Sequence, residues 1–283
     1  MRWMRSYIPL PEQITKAYSP ATTNFIRRIL KSYATSAIRG RGVPPFIHPL
    51  QISTKSASPL ITCLSLVRVY EALLPGSEES VAGVLMREMQ YLYTQRATYD
   101  EMMLLSAFQA YLLYSMVLFF QSSRPDDEFL RQAIITLQDL ACSSSQQGLV
   151  CLDEQGCSRP KWEAWIVTEA KRRTLYTMYM FDSVLLAQDG LPVYLGSELR
   201  GLPAPENKTL WRAQTRDHWE AAYNLHLADW GGRPFRIDEL WPISIASDNI
   251  EPAERRKRID RWSENLDEFG MMVYAVTSST HEQ

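Results

Sequence analysis

The sequence predicts an all-α protein, one large helical domain of roughly eight or more helices. Three observations predict it. Apolar residues recur at spacings of three and four in segment after segment. Strand-like alternation is almost absent, Leu191 to Leu195 being too short to matter. Glycine and proline clusters fall between the periodic segments, where chain reversals belong. Composition agrees: 46% of residues are apolar and 22% charged, ordinary globular values. A chain of 283 residues with eight tryptophans and fourteen tyrosines can bury enough surface to offset its conformational entropy. No internal repeat is evident.

Taken in order, Ala21 to Ala37 reads as a first helix, with Phe25, Ile29 and Tyr33 at spacings of four. Gly40, Gly42, Pro44, Pro45 and Pro49 then impose a loop, in which Phe46 and Ile47 suggest an anchor to the core. Leu60 to Leu74 is a second helix with Leu64, Val67 and Ala72 on its apolar face, ended by Pro75-Gly76. Ser77 to Tyr93 follows, Glu78 and Glu79 complementing the dipole of its first turn. Asp100 is placed to cap the next helix. Pro125 to Ala141 is helical, with Asp126 and Asp127 at its start and Phe129, Ile134, Leu137 and Leu140 following. Cys142 to Gly148 reads as a serine-rich turn. Pro160 to Ala187 carries the longest helical pattern of the second half, terminated by Asp189-Gly190 and Pro192. Lys208 to Asp229 is again helical, closed by Gly231-Gly232. Pro252 to Tyr274 is the last helix, with Ile259, Trp262, Leu266 and Phe269 on one face.

Met103 to Phe120 holds no formal charge over 18 residues and as a helix spans about 27 Å, near the lower limit for a bilayer. Gln109 near its middle, and the lack of closely flanking basic clusters, favour a buried core helix over a membrane span. Met1 to Leu10 has no sustained apolar core of the signal-peptide kind. With four scattered cysteines (Cys63, Cys142, Cys151 and Cys157), that predicts an intracellular, reducing setting.

Few residues suggest chemistry. No glycine-rich phosphate loop, G-x-S-x-G elbow or H-E-x-x-H pattern occurs, so no enzyme activity, catalytic residue, cofactor or metal is expected. His218 and His226 lie eight residues apart on one predicted helix, too far to share a metal; His48 and His281 read as lone polar residues. Cys151 and Cys157 flank CLDEQGC without further ligands nearby and read as free thiols. On the long helix, Glu169 stands three and four residues before Arg172 and Arg173, so both arginines can reach one carboxylate. Trp162, Trp165, Leu175, Met178, Phe181 and Leu185 bury much of that helix, which favours a structural ion cluster over a ligand grip. Arg255, Arg256, Lys257 and Arg258 could form an import signal or a DNA-facing patch, but Glu251, Glu254, Asp260 and Glu264 beside them favour a solvated helix face. The net charge of −2 lacks the basic excess of a free-standing nucleic-acid binder.

Several segments together resemble the regulatory middle homology region of fungal zinc binuclear-cluster transcription factors. RGVPPFIHPL from Arg41 is similar to the proline-rich lead-in of one group. LITCLSLVRVY from Leu60 is similar to the helix after it, and AFQAYLLYSMVLFF to the family's glutamine-containing apolar helix. The fullest likeness is WEAWIVTEAKRRTLYTMYMFDSVLLAQDGLP, with Trp165, Glu169, Arg172, Arg173, Phe181 and Asp182 as signature positions. LPAPENKTLWRA, with Leu202, Pro203, Ala204, Leu210, Trp211 and Ala213, resembles the usual continuation. The resemblance covers roughly residues 38 to 230. It implies a nuclear regulator of transcription, with control of a secondary-metabolite gene cluster as one setting. A small-molecule-binding helical domain without a transcriptional role is the alternative, its pocket lined by aromatics and Met178 or Met180. The resemblance also implies segments 1–38 (N-terminal helical), 39–235 (regulatory-type domain) and 236–283 (C-terminal helical extension). The six-cysteine zinc module of the family has no counterpart in these 283 residues. The expected partners are therefore another transcription regulator or a second copy, with DNA touched only indirectly or weakly, a small-molecule effector, and no membrane.

Overall fold

The computed structural model describes residues 15–16, 18–53, 58–121, 127–194, 196–231, 233–241 and 251–279. The expected helix start at Pro125-Asp126, Gly232 and His281 lie outside them. Twelve α-helices occur among the described residues, and the fold is all-α. A two-residue antiparallel pair joins Thr15–Lys16 (β1) to Val193–Tyr194 (β2).

Helix α1 (Pro20–Ile38) begins where the Ser19 hydroxyl accepts a hydrogen bond from the Thr22 amide, with proline in the first turn. Its buried stripe is Ile26, Leu30, Tyr33 and Ala34. Phe25, placed on the apolar face by its spacing, is instead 39% exposed, one position off the stripe. After α2 (Leu50–Ser53), α3 (Pro59–Val67) runs on into a 3₁₀ turn over Arg68–Ala72 rather than as one helix to Leu74, and Ala72 is exposed. Then come α4 (Glu78–Gln95), α5 (Glu101–Gln121) and α6 (Asp127–Gln146). The serines after Ala141 continue α6 instead of turning it. Ser143 bonds back to the Asp139 carbonyl at 2.9 Å, leaving the helical ladder intact.

Helix α5 is apolar on every side because every side is covered: α1, α3, α4, α6 and α8 (Trp162–Gln188) all pack on it. It is long and apolar enough to cross a membrane, yet 89% of its apolar window is buried, which puts it in the core as its glutamine suggested. Its polar groups are each tied to a neighbour. Ser106 accepts the first amide of α3, from Leu60, at 2.9 Å. The Gln109 amide donates to the Phe46 carbonyl at 3.0 Å, and its oxygen accepts from Gln51 at 2.9 Å. The proline-rich loop is thus pinned to the core, with Phe46 and Ile47 fully buried.

After α7 (Leu152–Gln155) and α8, the second half departs twice from its sequence pattern. The stretch Lys208 to Asp229 is two helices, α9 (Lys208–Trp211) and α10 (Arg216–Trp230). The side chains of Asn207 and Thr215 each accept an amide at a fresh N-terminus, so the chain restarts. Pro252 to Tyr274 likewise divides into α11 (Pro252–Ser263) and α12 (Glu268–Ser279). Asp267 causes the second break, its carboxylate accepting the Gly270 amide at 2.8 Å. As expected, Gly231 closes α10 in the left-handed region, with φ of 55°. One apolar core extends from Ile26 in α1 to Val276 in α12. A second cluster, built on Trp165, Trp211 and Trp219, lies beside α8.

Candidate functional site

Helix α8 brings three charges into the interior. The spacing predicts that both arginines reach Glu169; all three residues are fully buried, deeper than the partly buried pair that the helix pattern suggests. One Glu169 oxygen accepts from Arg172 Nε at 3.0 Å and Nη2 at 2.8 Å. The other accepts from Arg173 Nε at 2.7 Å and from the Glu206 amide at 3.0 Å. Arg172 also donates to the Leu149 carbonyl at 2.9 Å. Arg173 donates to Asp267 Oδ2 at 2.5 Å and to the Glu206 carbonyl at 2.9 Å, while its guanidinium rests 4.2 Å from the Trp211 ring centroid. Burial works against both guanidinium charges. The carboxylates of Glu154 and Glu169 around Arg172, and of Asp267 and Glu169 around Arg173, outweigh it, so both arginines are held more firmly protonated than usual. Asp182, another signature residue, is half-buried nine residues beyond Arg173, about two and a half turns further along α8.

The cluster fixes a strap, Leu202 to Asn207, whose prolines forbid a helix. Pro203 offers its carbonyl to the Tyr176 hydroxyl at 2.6 Å, and Pro205 to Trp262 Nε1 at 3.0 Å. The Ala204 amide donates to Phe235 at 2.8 Å, and the Leu202 carbonyl accepts from Ile237 at 2.9 Å. With Arg173 on Glu206, the strap is tied on both sides.

Outside the strap opens a cleft of about 410 Å³ between α10 and the end of α11. Glu206 and His226 line it, together with an aromatic wall of Trp230, Phe235 and Trp262. Phe235 stacks on Trp262 with centroids 5.0 Å apart. His226 is buried; its Nδ1 lies 3.5 Å from Glu206 Oε2 and makes no hydrogen bond. Burial pushes the Glu206 carboxyl above the usual carboxylate range; His226 draws it back and the Glu169 charge adds to the rise. A smaller void of about 20 Å³, room for about one water, shares Glu206, His226 and Trp230 with the cleft.

Several sequence expectations resolve here. Met178 and Met180 are core residues, away from the cleft: they lie on faces of α8 packed by other helices. His226 is buried, whereas His218 is exposed at the cleft rim. The stripe Trp219, Tyr223, His226, Trp230 follows the helical period, and that signal could have placed His226 inward. The basic run divides. Arg256 and Lys257 are exposed, but Arg255 is buried against the Glu239 and Trp241 carbonyls, and Arg258 grips Glu239 at 2.7 Å. It is therefore not a uniformly solvated face. All four cysteines are free thiols, and no group of three or more metal-binding side chains converges among the described residues. Comparison with family models, with curated proteins and with solved structures finds no match to this chain.

Proposed function

We propose that this chain is the helical regulatory domain of a transcription regulator, of the kind found in fungal zinc binuclear-cluster proteins. It acts in the nucleus on a DNA-bound partner and answers to a small-molecule effector, and control of a secondary-metabolite gene cluster fits this role. The reading rests on the buried cluster of Glu169, Arg172 and Arg173. These are among the residues through which the sequence resembles that family, and two of them, Glu169 and Arg173, hold the strap that floors a ligand-sized cleft. A regulatory domain needs a ligand site joined to a body whose surfaces meet partners, and a strap bonded to the central helix supplies that join. The cleft by itself favours a second reading, a small-molecule-binding domain with no part in transcription.

The two are separated by fusing the chain to a heterologous DNA-binding module and measuring a reporter in a fungal host. Regulation predicts nuclear accumulation of the unfused chain and a changed reporter level with the fusion. A cytoplasmic chain and an unchanged reporter under every growth condition would overturn it in favour of the second reading.

A further inference from the structure

The cleft between α10 and α11 has a chemical bias. Its volume, about 410 Å³, falls within the range of small-molecule sites. Three carboxylates line it (Glu206, Asp229 and Glu264) against one guanidinium, Arg261. Arg261 is engaged already, donating to the Asp229 backbone carbonyl and resting 5.8 Å from the Trp230 ring centroid. An anionic ligand would meet like charge there. A cation would meet opposite charge at the carboxylates rather than over the rings, since Arg258 already lies 5.1 Å from the Trp230 and 6.0 Å from the Phe235 ring centroid.

The inner end of the cleft lacks a donor. Other buried carboxylates have theirs: Glu169 takes two arginines and an amide, and Glu239 takes Arg258. Among the described residues the Glu206 carboxylate receives no hydrogen bond, and His226 Nδ1 stands 3.5 Å from it, buried and unpartnered. The Glu206 carboxylate opens on the cleft, and a ligand N–H there supplies the donor that the protein does not. The aromatic wall is pre-set for a flat ring. Trp262 is fixed by its bond to the Pro205 carbonyl and stacked on Phe235 at an interplanar angle of 27°. Neither ring must reorder on binding, which keeps the entropic cost low.

We infer that this cleft binds an aromatic amine: a planar ring lying against Trp230, Phe235 and Trp262, with its ammonium group donating to Glu206. The inference rests on reading the cleft as the effector site. Binding is measured on the purified chain and transcription on the reporter, so failure of one is distinguishable from failure of the other.

The test is calorimetric titration with tryptamine and with indole-3-propionate, two probes of the same ring and arm length but opposite charge. Tryptamine should bind saturably at one site and indole-3-propionate should not. Glu206→Gln should weaken tryptamine at least tenfold. Ala221→Phe, on the exposed face of α10 at the cleft wall, should abolish binding by filling the space, and it decides the matter if Glu206→Gln fails to fold. Equal or tighter binding of indole-3-propionate overturns the inference. So does absence of tryptamine binding at millimolar concentration, or tryptamine binding that both variants leave unchanged.

Discussion

Arg173 shows what a buried charge demands of its surroundings. Its fork is filled by Glu169, Asp267 and the Glu206 carbonyl, and its flat face by Trp211. Lysine could not reproduce that geometry, since an ammonium lacks the planar fork. His48 lies in the same neighbourhood, buried edge-on against Trp211. Burial lowers its pKa from the ordinary 6.5 to about 4; the Trp211 backbone opposes this and the Arg173 charge adds to it. The unfolded chain therefore takes up a proton between pH 6.5 and 4 that the folded chain refuses. Stability from this residue is complete above pH 6.5 and is lost as pH falls toward 4, at up to roughly 1.4 kcal/mol per pH unit. Urea unfolding of His48→Asn, whose side-chain oxygen can still accept the Leu50 amide bonded to His48 Nδ1, should show a flatter stability profile across that window. A slope equal to that of the unsubstituted chain would mean that His48 does not titrate as described.

Single helices were legible where the controlling signals were local. Asp100 was placed as a cap, and its carboxylate does accept the Met103 amide at 2.8 Å, opening α5. Replacing it with alanine should cost about 1 kcal/mol through the lost cap and the lost favourable charge at the helix N-terminus. Asp100→Asn should retain most of that, as thermal unfolding can check; equal midpoints for the alanine variant and the unsubstituted chain would remove the cap's role. The missed breaks have a different origin. Thr215 and Asp267 interrupt patterns whose apolar period continues across them, so periodicity alone predicts one helix each time. Asp267 ends the run because it both caps α12 and faces Arg173, 94 residues away in sequence. Likewise, the sequence showed that Glu169 would meet Arg172 and Arg173, because the spacing is local. It did not show that the same carboxylate would take the Glu206 amide, a contact set by tertiary packing.

Across the whole molecule, the central helix and the cleft share parts. Glu206 belongs to both: its backbone closes the buried cluster and its side chain faces the cleft. The cleft wall joins His226 and Trp230 of α10 to Phe235 and to Trp262 of α11, and the strap bonds to the last two stretches through the Phe235 carbonyl and Trp262 Nε1. Coupling of this kind makes a claim about local stability. Removing Arg173 leaves Glu169 and Asp267 buried with too few donors, a loss of about 3–5 kcal/mol. The loss should loosen the strap before it loosens the helices around α5. The most direct measurement is amide hydrogen exchange on Arg173→Ala beside the unsubstituted chain, with thermal unfolding in parallel. The coupling predicts a lower midpoint and faster exchange at the Ala204, Glu206 and Lys208 amides, with α5 still protected. An unchanged midpoint, or strap amides that exchange at the same rate in both proteins, would contradict it.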